Sequence, residues 1–261
     1  MDIRLTNKNA IVCGSTQGIG LAAAIELASL GANVTLMARD ERKLKEVLNQ
    51  LPQKENQTHS ILVADFNFPD QVKEKIESIV KEKDIHILVN NTGGPAAGNV
   101  IDATSEDFLK AINAHLLCSH HLVKACVPGM KKNNYGRIIN VISTSVKIPI
   151  KGLGVSNTVR GAMASWSKTL SVELAPFGIT VNNVLPGSTK TGRIESIIQT
   201  RAARTGKTEE QIRQEMIDEI PAGRMAEPSE VAAAIAFLAT PAAAYINGVN
   251  IPVDGGRTGS M

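Results

Sequence analysis

Residues 8–30 read KNAIVCGSTQGIGLAAAIELASL, and this stretch decides the fold of the chain. Lys8–Cys13 is a short, mostly apolar run typical of a buried strand, and Leu21–Leu30 is rich in Ala and Leu, as in a helix that ends at Gly31. The loop between them contains three glycines, which allow a tight turn and let the backbone approach a pyrophosphate at the helix N-terminus. We therefore predict a dinucleotide-binding loop that consists of Gly14, Ser15, Thr16, Gln17, Gly18, Ile19 and Gly20.

The same alternation of a short apolar run and a longer amphipathic segment continues along the chain. The apolar runs do not alternate with polar residues, which indicates that helices cover both faces of the sheet. Right-handed connections then give a single α/β domain of the Rossmann type over residues 1–261, a doubly wound and mostly parallel sheet. Further strands are predicted at 33–38, 60–64, 86–90, 137–143, 179–185 and 247–253. After the strand at 86–90, one long helix is predicted to begin at Ser105 or Glu106, with Thr104 and Asp107 at capping-box spacing.

One segment, residues 188–227, departs from this pattern. It contains a helical pattern over 193–203 and a second one that begins at Thr208, with Gln211 at capping-box spacing. An insertion beyond the carboxyl end of a strand lies where open α/β sheets bind ligands, so we expect a helical substrate lid. The alternative is an ordinary helical hairpin packed on the core. The apolar residues that fit either role are Ile194, Ile197, Ile198 and Met216.

Composition argues against several classes of function. The chain has 28 Lys and Arg against 25 Asp and Glu, with no block of like charge, so we expect no nucleic-acid partner. It has no apolar signal segment and no run near the ~20 residues of a membrane span, so we expect no membrane partner. The three cysteines form no paired framework, which favours a reducing cytoplasm. The sequence has neither HExxH nor CxxC, and no metal site is predicted.

The end of the second strand indicates which dinucleotide binds. An acidic residue there would accept the ribose hydroxyls of the adenosine and repel a 2′-phosphate, but this chain has Ala38 followed by Arg39. A guanidinium pairs well with a phosphate, so Arg39 favours NADP(H) over NAD(H). The alternative is that Arg39 is a solvated residue at a helix start, with Asp40 as the N-cap.

Taken in order, these motifs resemble those of the classical short-chain dehydrogenase/reductase family, and the overall pattern is similar to bacterial 3-oxoacyl-carrier-protein reductases. The likeness extends over nearly the whole chain, from the glycine loop to Ile251–Gly256, with Cys13 where the family usually has Thr. The resemblance implies a seven-stranded fold and a homo-oligomer, a tetramer or a dimer. It also implies hydride transfer between a nicotinamide cofactor and a small-molecule carbonyl or secondary alcohol.

The resemblance assigns roles to further positions. Asp65 follows the third strand, where the family contacts adenine. Asn113 matches the helix asparagine that supports a water relay, and Ser143 matches the catalytic serine. Further contacts to the cofactor are implied at Asn91, Gly93, Pro186, Gly187 and Thr191. Residues 90–93 read Asn-Asn-Thr-Gly, with Thr92 where the family has Ala.

The chain departs from the family at the Tyr-x-x-x-Lys pair on which its acid–base chemistry rests. Counting thirteen residues from Ser143 gives Ser156, and four more give Arg160, with matching motifs on both sides of the segment. The i,i+4 spacing places Ser156 and Arg160 on one helix face. We therefore expect an atypical catalytic constellation, in which Arg160 also holds the nicotinamide ribose, formed by Asn113, Ser143, Ser156 and Arg160.

This substitution changes how the site can handle a proton. Arginine has a pKa above ~12 and does not donate a proton near pH 7, and a serine hydroxyl alone is a poor acid. Lys147 and Lys151 are candidate proton donors, with solvated loop lysines as the alternative. Two functions stay open: an NADP-preferring oxidoreductase, and a dinucleotide-binding sensor or partner subunit without turnover.

The remaining chemistry-bearing side chains are expected outside the site. Neither Tyr135 nor Tyr245 replaces the missing tyrosine, because neither belongs to a loop at the active end of the sheet. Cys13 is expected in the core, and Met163 and Trp166 at a subunit interface or inside the subunit. Surface or subunit-interface positions are expected for His115, His120 and His121.

Overall fold

The computed structural model describes residues 1–54 and 56–259. Its strands form one seven-stranded sheet in the order β3-β2-β1-β4-β5-β6-β7, and every neighbouring pair is parallel. This order confirms the doubly wound α/β fold. The strands are β1 Asn9–Cys13, β2 Asn33–Ala38, β3 Ser60–Val63, β4 Ile87–Asn90, β5 Gly136–Val141, β6 Ile179–Pro186 and β7 Asn250–Val253.

Helices cover both faces of this sheet, as the uninterrupted apolar strands predict. On β1, Ala10 and Val12 contribute to one apolar cluster, while Ile11 and Cys13 contribute to the cluster on the opposite face. Each fully buried aliphatic side chain contributes about 1.5–3 kcal/mol, so the two layers stabilise the fold together. The helices are α1 Gly18–Ser29, α2 Glu41–Leu48, α3 Pro69–Glu82, α4 Ser105–Ile112, α5 Cys118–Lys132, α6 Gly154–Leu174, α7 Gly192–Thr205, α8 Glu209–Asp218 and α9 Pro228–Ala239.

A chain of asparagine side chains crosses four strands of the sheet. The Nδ2 of Asn90 donates to Oδ1 of Asn140 at 2.8 Å, and the Nδ2 of Asn140 donates to Oδ1 of Asn183 at 3.1 Å. The Nδ2 of Asn183 in turn donates to Oδ1 of Asn250 at 2.7 Å. These residues are register partners in β4, β5, β6 and β7. Because buried amides need hydrogen-bond partners, the chain opposes a slip of any one of these strands.

The segment after β4 differs from the single long helix that the sequence predicts. The capping box of Thr104 and Asp107 forms as predicted at the start of α4. The helix is then interrupted by one π-helical turn over Asn113–Leu117, before α5 begins. Such turns occur frequently at functional sites, and this one places His115 in the interior.

The 188–227 segment contains α7 and α8, and the predicted capping box of Thr208 and Gln211 begins α8. Backbone hydrogen bonds join the two ends of the segment, from Ala226 N to Ser188 O at 3.0 Å and from Lys190 N to Ala226 O at 2.9 Å. The two helices share a small apolar core of their own, which consists of Ile194, Ile198, Ala202, Ile212, Met216, Ile220 and Met225.

Two strands depart from their predicted bounds by more than one residue. β5 ends at Val141 rather than at residue 143, because Ser143 already caps a short 3₁₀ turn over Thr144–Val146. β7 begins at Asn250 rather than at residue 247. None of the helices in the described part of the chain has the length and apolar character needed to cross a bilayer.

Candidate active site

A cavity of about 880 Å³ opens at the carboxyl ends of the strands. This is the edge where open α/β sheets bind ligands. Most of the site residues predicted from the sequence line it: Gly14, Thr16, Gln17, Gly18, Ile19, Arg39, Asp65, Asn91, Gly93, Ser143, Ser156, Arg160, Pro186, Gly187 and Thr191. Three do not: Ser15 and Gly20 are buried members of the glycine loop, and Asn113 begins the π-helical turn.

The glycine loop owes its shape to positions where a side chain does not fit. Gly14 and Gly18 have φ of 60° and 57°, in the left-handed region that L-residues rarely adopt. A Cβ on Gly20 would lie 2.2 Å from the carbonyl oxygen of Gly14. The Nδ2 of Asn91 donates to the carbonyl oxygens of Cys13 at 3.2 Å and Gly14 at 3.4 Å, and so ties the loop to the end of β4.

The start of α1 is suited to a diphosphate. Gln17 makes no side-chain cap there, and the first turn carries no acidic residue, so its N–H groups and the positive end of the helix dipole face the cavity. These free N–H donors beside a glycine cradle fit the pyrophosphate of a dinucleotide.

At the end of β2, Asp40 and Arg39 have separate roles. Oδ1 of Asp40 accepts from the backbone N of Lys43 at 3.0 Å, so Asp40 is the N-cap of α2, as the alternative interpretation has it. Arg39 is exposed and lines the cavity all the same. Lys43 lines it too. This cation was not predicted from the sequence, although its i,i+4 spacing from Arg39 indicates it.

Ser156 and Arg160 are one turn apart on α6, both are buried, and both line the cavity. Nη1 of Arg160 donates to the carbonyl oxygen of Val141 at 2.8 Å, and its Nε has no partner among the described residues. Burial, and to a lesser extent the charge of Arg193, lowers the pKa of Arg160 to about 10. The guanidinium therefore stays charged at pH 7, inside a poorly solvated site where its field is strong.

The prediction that His115 lies at the surface or at a subunit interface is wrong. His115 is 3% exposed, and its Nδ1 shares a hydrogen bond of 2.6 Å with Oγ1 of Thr92. Burial, together with the nearby charges of Arg160 and Arg193, holds the pKa of His115 well below its usual value, so the imidazole is neutral at pH 7. The sequence signal was Thr92, a hydroxyl where the resembling family has alanine.

The 188–227 segment contributes cations to the cavity that were not predicted from the sequence. Arg193 of α7 lines the cavity, and its Nη2 donates to the carbonyl oxygen of Pro95 at 2.5 Å. Burial lowers the pKa of Arg193. Arg201 and Arg204 of α7 also line the cavity. Of the two candidate loop lysines, Lys151 lines it and Lys147 does not.

The side chains set aside from the sequence lie largely where expected. The hydroxyl of Tyr135 donates to the carbonyl oxygen of Ala239 at 2.6 Å, and Tyr245 is fully exposed. Met163 is buried and Trp166 half-buried in one cluster within the subunit. Cys13, Cys118 and Cys126 are buried and unpaired, and burial raises the pKa of Cys118 and of Cys126 to about 12. Within the described ranges, no cluster of His, Cys, Asp or Glu suits a metal ion.

Comparison with known proteins agrees with this geometry. The family described as enoyl-(acyl carrier protein) reductase matches residues 14–258. A tropinone reductase homologue of Arabidopsis thaliana is 33% identical over 256 residues, which cover 97% of this chain and 91% of the relative. The 3-oxoacyl-[acyl-carrier-protein] reductase of Haemophilus influenzae is 33% identical over 253 residues, which cover 97% of this chain and 98% of the relative. The crystal structure of L-sorbose reductase from Gluconobacter frateurii, complexed with NADPH and L-sorbose, superposes with a TM-score of 0.92 at 29% identity over the whole of both chains.

Proposed function

Because this chain belongs to the classical short-chain dehydrogenase/reductase family and is an oxidoreductase of that type, we propose that it is an NADP(H)-preferring enzyme with an atypical proton-handling site. It transfers hydride between the nicotinamide and a small-molecule carbonyl or secondary alcohol. The observation that carries the proposal is the buried Ser156–Arg160 pair, which lines the same cavity as an intact glycine loop.

The cofactor would lie along the carboxyl edge of the sheet. The glycine loop would hold the pyrophosphate, Asp65 would contact the adenine, and Arg39 with Lys43 would pair with the 2′-phosphate. The nicotinamide end would lie against Asn91, Gly93, Pro186, Gly187 and Thr191. When bound, the cofactor supplies or accepts the hydride, and the protein supplies orientation and charge.

In the direction of reduction, negative charge develops on the carbonyl oxygen. The hydroxyls of Ser143 and Ser156 line the cavity and would donate hydrogen bonds to that oxygen. The fixed positive charge of Arg160 would stabilise it further, and such donors are typically worth about 10²–10³-fold in rate. This electrostatic contribution remains although the usual tyrosine is absent.

The proton must come from a group other than Arg160, which is charged and has a pKa of about 10. We propose that it reaches the oxygen through the Ser156 hydroxyl, from solvent or from Lys151, which lines the cavity and is exposed. Positioned acid–base catalysis is typically worth about 10²–10⁴-fold, so an indirect route slows the reaction without abolishing it. Asn113 would support a water on this route from the π-helical turn.

We propose further that the 188–227 segment is the substrate lid of a single domain. Its support is that Arg193, Ile194, Ile197 and Met216 line the cavity while the segment keeps its own apolar core. Hydrogen exchange of α7 and α8 with and without NADPH tests this role, and equal protection in both states contradicts it. We also predict a homo-oligomer, which analytical sedimentation tests, and a cytoplasmic location, which cell fractionation tests.

The first experiment measures NADPH oxidation by the wild-type chain over a panel of carbonyl compounds, beside the double variant Ser156→Tyr/Arg160→Lys as a control for the panel. Turnover by the wild type supports the proposal. A silent wild type beside an active double variant would favour the sensor or partner-subunit alternative. A fluorescence titration with NADPH on both proteins separates loss of chemistry from loss of cofactor binding.

A further inference from the structure

The wall of the cavity carries far more positive than negative charge. The cationic side chains that line it are Arg39, Lys43, Lys151, Arg160, Arg193, Arg201, Arg204 and Arg257. Among the described residues that line it, the carboxylates are Asp40, Asp65 and Asp102. The chain as a whole is nearly balanced, with 28 basic and 25 acidic residues, so the excess is a local property of this cavity.

Two of these cations serve the proposed 2′-phosphate site, but most of the others lie at the opposite end. Arg39 and Lys43 are at the end of β2, whereas Lys151 is in the loop between β5 and α6. In the strand order, β2 and β5 are separated by β1 and β4, which at 4.7–4.9 Å per strand is a distance of about 14 Å. The cations beyond β5 are therefore too distant to bind the same phosphate.

Along α7 the cations recur on the face that lines the cavity. Arg193, Arg201 and Arg204 are on this face together with Ile197 and Thr200, at the spacing of helical turns. The guanidinium of Arg204 lies against Gly152, since a Cβ built on that glycine would be 3.2 Å from Nη1 and Nη2. This contact brings the last turn of α7 beside Lys151, in the loop that leads into Ser156.

The charges at this end are poorly neutralised by the protein. Arg201 has an ion pair with Glu215 at 3.5 Å, but no carboxylate of the described residues lies within 4.0 Å of the charged nitrogens of Lys151, Arg193 or Arg204. Arg193 donates to a neutral carbonyl, which leaves its charge uncompensated. Beside it, the buried Nε of Arg160 has no acceptor in the described structure. The buried Arg160 and half-buried Arg193 are costly to leave without acceptors, and the exposed Lys151 and Arg204 are not neutralised by any carboxylate of the described residues. This end of the cavity is therefore suited to an external anion.

We propose that Lys151 and Arg204, which lie together at Gly152, bind an anionic group of the carbonyl substrate, a carboxylate or a phosphate. The substrates are then oxo acids or phosphorylated carbonyl compounds, with the carbonyl held at Ser143 and Ser156 and the anion toward the lid. As an assignment of substrate class this rests on the proposed hydride transfer, but the binding of the anion is measurable without turnover.

The test measures binding to the cofactor-free protein and to protein that is first saturated with NADPH. In the saturated protein every cation used by the cofactor is already occupied. The probes are 2-oxoglutarate and dihydroxyacetone phosphate, each beside its uncharged counterpart, dimethyl 2-oxoglutarate or dihydroxyacetone, at constant ionic strength. Binding is read from the rise in Tm with probe concentration. We expect at least one charged probe to raise Tm saturably and its uncharged counterpart to leave it unchanged, and the responding probe identifies carboxylate or phosphate.

The variants are Lys151→Gln and Arg204→Gln, with Arg213→Gln as the matched control. Arg213 is on the same segment but pairs with Glu195 at 2.6 Å and does not line the cavity. We expect the apparent Kd of the responding probe to rise about tenfold for each cavity cation removed, and to stay unchanged in the control. Equal responses to charged and uncharged probes, or an unchanged Kd in both cavity variants, overturn the proposal.

The two proposals fail separately. Charge-dependent binding without any NADPH oxidation would keep the anion site and contradict the hydride-transfer function. NADPH oxidation with neutral carbonyls and no charge-dependent binding would keep the function and contradict the anion site. If charged probes bind only to the cofactor-free protein, the cations serve the cofactor phosphates and the proposal is wrong.

Discussion

The two halves of the cavity are built in different ways. The half at the carboxyl ends of β1, β2 and β3, here called the backbone-built half, is shaped by the main chain. It has glycines with positive φ, a Cβ position at Gly20 that would lie 2.2 Å from a carbonyl oxygen, and the uncapped start of α1. The half at the carboxyl ends of β5 and β6, the side-chain-built half, is shaped by long polar side chains, Arg160 and Arg193 among them. Backbone constraints leave a spacing in the sequence, whereas a long side chain finds its partner only in the folded protein.

The largest expected effect breaks the backbone-built half. In Gly20→Ala the new methyl group would lie 2.2 Å from the carbonyl oxygen of Gly14 and 2.7 Å from Nδ2 of Asn91, so the loop must open. Overpacking of this kind costs about 1–3 kcal/mol or more, and we expect NADPH binding to become undetectable by fluorescence titration. Gly161→Ala on α6, where nothing lies within 4 Å, is the control and should be stabilised by about 0.5–1 kcal/mol. Retained NADPH affinity in Gly20→Ala would contradict the steric argument.

The next effect tests the side-chain-built half. Arg160→Ala removes a buried charge and its hydrogen bond to Val141, and we expect kcat/KM to fall about 10²–10³-fold together with a weaker affinity for NADPH. Arg160→Lys, which keeps the charge, should recover part of both losses. Steady-state kinetics with a substrate from the panel measure them, and an unchanged profile in Arg160→Ala would remove its assigned role.

A smaller effect concerns cofactor choice within the backbone-built half. Arg39→Asp replaces a cation that can pair with the 2′-phosphate by a group that repels it, so the ratio of kcat/KM for NADPH to that for NADH should fall about 10–100-fold. The control is Arg42→Asp, because Arg42 pairs with Glu46 at 3.4 Å on the outer side of α2 and does not line the cavity. If Arg39→Asp keeps the wild-type ratio as the control does, Arg39 does not bind the 2′-phosphate.

The smallest expected effect is on the pH dependence of stability, and it comes from His115, between the two halves. The unfolded chain protonates His115 near its ordinary pKa of 6.5, whereas in the folded protein burial holds that pKa well lower. The unfolded state therefore binds more protons below pH 6.5, and stability falls as the pH drops, by at most about 1.4 kcal/mol per pH unit for one group.

His115→Asn keeps a polar group near Thr92 but cannot titrate. Between pH 7.5 and pH 5.5, about one unit either side of the ordinary histidine pKa, the Tm of this variant should therefore fall less than that of the wild type. His120→Asn, at an exposed position on α5, serves as the control. Parallel loss of Tm in all three proteins would contradict a buried neutral imidazole.

These contrasts also explain how much could be predicted from the sequence. The α/β order and the two capping boxes follow from local patterns, and the structure confirms them. The glycine loop was found because its geometry requires glycine at fixed spacing. His115 was misplaced because a π-helical turn rotates that residue into the interior, and no period of the sequence encodes such a turn.

The cationic face of α7 was missed for a different reason. Arg193 and Arg204 have the spacing of an ordinary solvated helix face, and only the packing of α7 over the cavity turns that face inward. In the same way, Lys147 and Lys151 were equivalent candidates in the sequence, and the structure separates them because only Lys151 lines the cavity.

The asparagine chain across β4, β5, β6 and β7 couples distant parts of the molecule mechanically. Asn90 directly precedes Asn91, which holds the glycine loop, and the chain of amides ends at Asn250 near the C-terminus. Asn140 is further anchored to Ser167 of α6, the helix that carries Ser156 and Arg160. Hydrogen bonds in a buried series strengthen one another, so these elements form one cooperative unit. We therefore expect a disturbance at the last strand of the sheet to reach the glycine loop at its centre.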